Sequence, residues 1–144
     1  MDPDATPGVE VDFPDPNDLM NFKVYVTPAD GLYQGAKFEF SVTVGDNYPY
    51  EPPLVVCDTM IYHPNIDFNG RVCLNILRAE WAPVLTLGAV LFGLMTLFLE
   101  PNADDPLNKE AADLMIDDPT RFEQNVRNTL RGGNYFGKQF PALL

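Results

Sequence analysis

Two segments, MNFKVYVTP (residues 20–28) and AKFEFSVTV (residues 36–44), alternate apolar and polar side chains along their whole length. A period of two sends alternate side chains to opposite faces of an extended chain, so each segment fits a strand with one dry and one wet face. PADGLYQG, between them, has the Pro, Asp-Gly and Gly of a turn. A proline-rich loop, DNYPYEPP, then leads to LVVC, which reads as a short buried strand. Met20–Thr27, Lys37–Val44, Leu54–Cys57 and a short piece near Val72 therefore predict a four-stranded antiparallel meander.

The second half changes period. Thr86 is placed to cap a helix running to about Leu99, apolar almost all round and hence buried. Asp105-Pro106 sets a cap and a first-turn proline before LNKEAADLMI, and Asp118-Pro119 repeats the device before TRFEQNVRNTLR. In that last segment Phe122, Val126 and Leu130 recur every fourth residue, and Gly132-Gly133 end the helix. Strands followed by helices predict an α+β fold. Ahead of them, residues 1–18 carry four prolines and six acids without a helical period, and are expected to be an extended or disordered arm before a core at 19–144.

Charge narrows the class of partner. Nine Lys and Arg against 21 Asp and Glu give a net charge of −12, a field that repels a phosphate backbone and suits a basic patch on a protein. The first thirty residues lack the basic start and apolar run of a secretory signal. The longest apolar stretch, Leu85–Leu99, is broken by Thr86, Gly88, Gly93 and Thr96 and falls short of the ~20 residues that span a bilayer. No nucleic acid and no membrane are expected as partners. The two cysteines suit a reducing compartment, as free thiols.

Chemistry concentrates in HPNIDFNGRVCLNIL, which holds the sole histidine, His63, and one cysteine, Cys73. A metal site needs more ligands at short spacing, so no metal is expected. A cysteine hydrolase would use His63 as base and Asn65 to orient it, but those groups usually lie far apart in sequence, and here they sit within eleven positions. If Asn69-Gly70 is a two-residue hairpin turn, Ile66 pairs with Cys73 and Asn65 with Leu74, and an ideal pleat sends Asn65 and Cys73 to opposite faces. His63 is then read as a turn histidine bonded to local backbone. Cys57, between apolar neighbours, reads as packing. For Cys73 a packed small residue and a thiol nucleophile without a clear base both remain open.

HPNI, followed eight residues after its Asn by VCLNIL and then by W-x-P at Trp81–Pro83, resembles the ubiquitin-conjugating enzymes. The likeness continues through YPYEPP (48–53) and EPNADDPLNKEAA (100–112) and covers roughly Leu19 to Gly133. CLNIL, FLEPN, DPLNKEAA and RFEQNVRNTLRGG look most like the members that conjugate the Nedd-type (Rub) modifier to cullins. The resemblance implies that Cys73 accepts the modifier's C-terminal glycine as a thioester from an activating enzyme. A target lysine then attacks it, with Asn65 stabilising the oxyanion or holding the active-site loop. It implies Asn75 and Asp105 as the groups beside the cysteine that orient the lysine, Leu107 as a gate over the thioester channel, and Tyr50, Pro83 and Val84 as contacts to a RING-type ligase. It further implies a monomer acting with modifier, activating enzyme, ligase and cullin in cytoplasm and nucleus. No cofactor is implied, because ATP is used upstream by the activating enzyme.

One element of the resemblance is missing. Family members begin with an amphipathic helix against the sheet, and Pro3, Pro7, Pro14 and Pro16 forbid its period in residues 1–18. The expectation is a chain lacking the N-terminal helix, with apolar sheet surface exposed in consequence. A non-catalytic adaptor with the conjugating-enzyme fold, or a conjugating enzyme for ubiquitin, are the alternative readings. The tail NYFGKQFPALL departs from the resemblance and carries no function at this level.

Overall fold

The computed structural model describes residues 6–74, 77, 81–82 and 86–144. Strands β1 (Val9–Asp12), β2 (Asn21–Val26), β3 (Phe38–Thr43) and β4 (Leu54–Cys57) form one antiparallel sheet in that order. Helices α1 (Leu87–Leu99), α2 (Lys109–Asp117) and α3 (Pro119–Leu130) follow, and a two-stranded hairpin, β5 (Gly133–Tyr135) with β6 (Lys138–Phe140), comes last. The α+β order and the four-stranded antiparallel sheet are as the periods of two and of fourfold spacing predict.

The identity of one strand differs. The edge strand is Val9–Asp12, inside the segment expected to be an extended or disordered arm outside the core, and it pairs Val9 with Val26 and Val11 with Val24. Pro7 and Pro14 bound this piece but do not enter it, so they exclude a helix and permit an edge strand. A boundary at residue 18 therefore does not divide the fold. The piece near Val72 makes only isolated bridges, Ile66 to Val72 and Val56 to Arg71. Among the described residues no helix precedes the sheet.

The dry face of the sheet is Val24, Val26, Phe38, Phe40, Val42 and Val55, all buried. Helix α1 covers it through Phe98, whose ring stacks on Phe38 at 4.6 Å and meets Phe40 edge-on at 6.0 Å. Burial of such a ring contributes about 1.5–3 kcal/mol. Thr86 caps α1 by accepting from Ala89 N, and Asp118 caps α3 by accepting from Arg121 N with Pro119 in the first turn, as expected.

The wet face is polar along β1–β3, while Leu54 on β4 stands exposed on it. Lys23 donates to Ser41 Oγ at 2.6 Å and pairs with Asp58 at 3.2 Å, while Lys37 pairs with Glu10 at 3.5 Å and lies over the Tyr25 ring. The hydrogen bond that Lys23 donates to Asp58 raises the Lys23 pKa. Further exposed apolar side chains gather in and beside the β1–β2 connection, at Val11, Phe13, Leu19 and Met20.

The Asp67–Arg71 turn locks onto the sheet at one glycine. Gly70 has φ +86°, its carbonyl accepts from Cys57 N at 2.8 Å, and a Cβ there would collide with the Cys57 carbonyl. Positive φ and collision with backbone act together, so Gly70→Ala should lower unfolding stability by about 2–3 kcal/mol. The midpoint of a urea transition, compared with that of the exposed Gly45→Ala, measures it.

Candidate active site

Asp67 decides the geometry around Cys73. Its Oδ1 accepts from Asn69 N and from Arg71 N, both at 2.9 Å, so the turn closes around Phe68, Asn69 and Gly70 instead of Asn69-Gly70 alone. A three-residue loop ending in a left-handed glycine shifts the pairing by one residue. Asp67 N donates to Arg71 O, Ile66 bridges Val72, and Cys73 N donates to Asn65 O at 2.8 Å. Asn65 is therefore opposite Cys73, not Leu74, and the two side chains share one face. Both line an open cavity of about 710 Å³ that also takes in Asp104, Asp105, Phe92 and Thr96.

The Asn65 amide is anchored at both ends. Its Nδ2 donates to Asn102 O at 2.8 Å and its Oδ1 accepts from Asn102 N at 2.9 Å. Asn102 Oδ1 in turn accepts from Asp104 N at 2.8 Å. This chain of bonds fixes the 102–105 loop beside the cysteine and leaves the second Nδ2 hydrogen without a bonded partner among the described residues. Asp105 sits at φ 48°, a left-handed conformation that Asp tolerates, and its carbonyl accepts from the Cys73 thiol at 3.4 Å. Cys73 is 8% exposed, so its sulfur is reached from the cavity and not from all sides.

His63 is withheld from this chemistry. It is fully buried between Tyr33, at 5.2 Å, and Phe98, at 5.7 Å. Nδ1 accepts from Asn65 N at 2.9 Å, which leaves Nε2 to donate to Leu97 O at 2.8 Å. Both ring nitrogens are spent on backbone, in one neutral tautomer, and burial pushes the pKa down to about 4. The turn-histidine reading fits these bonds, although one of them reaches across to α1.

A family model described as ubiquitin-conjugating enzyme matches residues 1–130. The chain belongs to the ubiquitin-conjugating enzyme family. It is 61% identical over 137 residues to the NEDD8-conjugating enzyme Ubc12 of Dictyostelium discoideum, covering 95% of this chain and 60% of the relative. It is 57% identical over 122 residues to the Nedd8-conjugating enzyme UbcE2M of Drosophila melanogaster, covering 85% and 67%. The chain thus spans 60–67% of the length of these curated relatives. The solved structure of S. cerevisiae Ubc12 superposes with a TM-score of 0.87 at 40% identity, covering 96% of this chain and 78% of that one.

Within this conjugating-enzyme fold the predicted site residues separate into groups. Asn65, Cys73 and Asp105 meet at the cavity. Asp105 does not cap α2. Asn108 does, accepting from Ala111 N at 3.1 Å, because Leu107 N and Asn108 N both donate to Pro64 O and the helix starts only at Lys109. Leu107 lines a separate cleft of about 220 Å³ with Pro53, Val56, Val72 and Leu77. Tyr50 is 79% exposed on a loop pinned by the bond from Trp81 Nε1 to Pro49 O at 2.9 Å. The Tyr48 ring lies 6.1 Å from that of Trp81, so the YPYEPP loop is at once a scaffold and a presented side chain. Asn75, Pro83 and Val84 lie outside the described residues. Cys57 is buried in β4, and burial pushes its thiol up to about 12.

Asn102 and Asp104 were not legible as site residues. The sole signal was an Asn two residues before an Asp, a spacing that suits an Asx turn anywhere.

The His63 environment sets a pH dependence. Its folded pKa of about 4 lies below the ordinary 6.5, so the folded state resists protonation while the unfolded chain accepts it. The contribution is complete above pH 6.5 and is lost as pH falls toward 4. Between about pH 7.5 and pH 5 the loss should be about 2 kcal/mol, and His63→Gln should flatten that part of the profile. Urea midpoints of both proteins across this range provide the check; parallel profiles would contradict it.

Proposed function

We propose that this chain is a conjugating enzyme for a Nedd-type modifier, carrying it as a thioester on Cys73 and passing it to a lysine of a target such as a cullin. The observation that carries this reading is Asn65 opposite Cys73 at an open cavity, with the chain's sole histidine locked away. A hydrolase needs a base to activate water. A thioester carrier is better without one, because a nearby base would discharge the modifier to water.

Each step then has a place. The Cys73 sulfur attacks the modifier's C-terminal glycine carbonyl on the activating enzyme's thioester, and that enzyme's thiol leaves. The lysine of the target must reach the new thioester as a neutral amine, against a reference pKa of about 10.4. The acidic rim of Glu100, Asp104 and Asp105 suits an incoming lysine ammonium, and desolvation in the cavity favours its loss of a proton. Attack of the amine forms the new C–N bond and an oxyanion; collapse expels the Cys73 thiolate and leaves an amide. The remaining Nδ2 hydrogen of Asn65 is the donor for that oxyanion, and its bonds to Asn102 keep both the donor and the acidic rim in place. Asn75 is proposed as an uncharged acceptor for the incoming amine, and Leu107 as a packed neighbour to the α2 entry more than a gate.

Tyr50, with Pro83 and Val84, is proposed to meet a RING-type ligase. The names of the relatives support a Nedd-type modifier and its activating enzyme as partners; the chain is further proposed to act as a monomer in cytoplasm and nucleus. A charging reaction with activating enzyme, ATP and either the Nedd-type modifier or ubiquitin tests the reading. A thiol-sensitive adduct should form with the Nedd-type modifier, survive Cys57→Ala and vanish in Cys73→Ala. No adduct on the folded chain would favour the adaptor, and an adduct with ubiquitin alone would reassign the modifier. Asn65→Ala should still charge but discharge to free lysine about 100-fold more slowly, as expected of a lost oxyanion donor.

A further inference from the structure

The β5–β6 hairpin lies against the segment that holds Asn65. Its two-residue turn is Phe136-Gly137, between the paired Tyr135 and Lys138, and both turn residues have positive φ, 57° and 72°. That backbone is the one Asn-Gly adopts with ease and a bulky side chain adopts at a cost. A phenylalanine there needs an offset from what its ring touches. The Phe136 ring stacks on Tyr62 at 4.9 Å and 10°, and on Phe68 at 6.5 Å and 20°. Tyr62 immediately precedes His63, and Phe68 is the first residue of the three-residue loop that sets the Asn65–Cys73 register. Phe140, buried, meets Phe68 edge-on from the other strand at 6.0 Å. The hairpin is itself tied down where Leu143 N donates to Leu130 O at 2.8 Å.

We infer that the β5–β6 hairpin is a clamp on residues 62–68, and that Phe136 is a positioning residue that keeps Asn65 in register with Cys73. Its contribution to transfer rests on the conjugating reading above; its effect on the register does not. Phe136 does not line the cavity, so it acts through Tyr62 and Phe68.

The test variant is Phe136→Asn, which relieves the left-handed strain and keeps the turn while removing both ring contacts. Phe136→Tyr is the conservative partner that retains them. Hydrogen exchange of the Cys73 amide, bonded to Asn65 O, is followed by NMR on the uncharged protein, with Val24 and Phe40 amides as internal controls. Phe136→Asn should leave the thermal midpoint and the control amides at wild-type values while Cys73 exchanges about tenfold faster, the scale expected of two lost aromatic contacts. In the charged protein, discharge at saturating lysine should fall about fivefold with charging unchanged, and Phe136→Tyr should restore both. Unchanged Cys73 exchange would overturn the clamp. Faster exchange with unchanged discharge would overturn the positioning role and leave a structural prop. If the wild-type chain takes no modifier at all, the conjugating reading fails, and the exchange measurement still decides the clamp.

Discussion

Everything around Cys73 hangs on a histidine that does no chemistry. His63 accepts from Asn65 N within its own turn and donates to Leu97 O on α1, so one imidazole ties the thiol-bearing segment to the helix that covers the sheet. The tie holds only for the neutral ring: a proton on Nδ1 would break the bond to Asn65 N and leave a charge between Tyr33 and Phe98 with no acid to meet it among the described residues. Burial thus does two things at once. It selects the tautomer that fits both backbone partners, and it keeps the chain's sole imidazole away from Cys73.

The rest of the site is a sequence of backbone commitments made from that anchor. Pro64 O accepts from the amides of Leu107 and Asn108, which sets where α2 begins; the Asn65 side-chain amide donates to Asn102 O and accepts from Asn102 N, which sets the acidic loop. Consecutive residues of one turn therefore bind three elements that are remote in sequence. Such bonds contribute only about 1 kcal/mol each in net stability, but leaving any of these buried groups unpaired costs more, so the arrangement is specified more firmly than it is stabilised.

This distribution explains what was legible. Strands β2–β4 and helices α1 and α3 follow from side-chain period and from caps at Thr86 and Asp118, which are local signals. Val9–Asp12 was missed because four residues between prolines look like any acidic arm, and only pairing with β2 makes them a strand. Asn69-Gly70 gave the right turn and the wrong register. Its glycine is compatible with a two- or a three-residue loop, and the choice was made by the Asp67 carboxylate accepting from two amides, a contact that no period records. The α2 cap moved from Asp105 to Asn108 for a related reason, since the intervening amides were already committed to Pro64. Family resemblance supplied the roles of Cys73 and Asn65; the residues alone had left Cys73 between packing and nucleophile.

The one-residue shift in register is also what the proposed chemistry requires. With Asn65 across from Leu74, the amide and the thiol would face opposite sides of the ribbon, and no side-chain rotation could bring them to one carbonyl. With Asn65 across from Cys73, both open on the same cavity, and the acidic loop is drawn in because the amide that faces the thiol is bonded to Asn102. In the proposed transfer, positioning, oxyanion donation and lysine attraction would all follow from a single pairing. An aspartate just before the loop chooses that pairing, a histidine below holds it, and the aromatic face of the β5–β6 hairpin presses on it from outside.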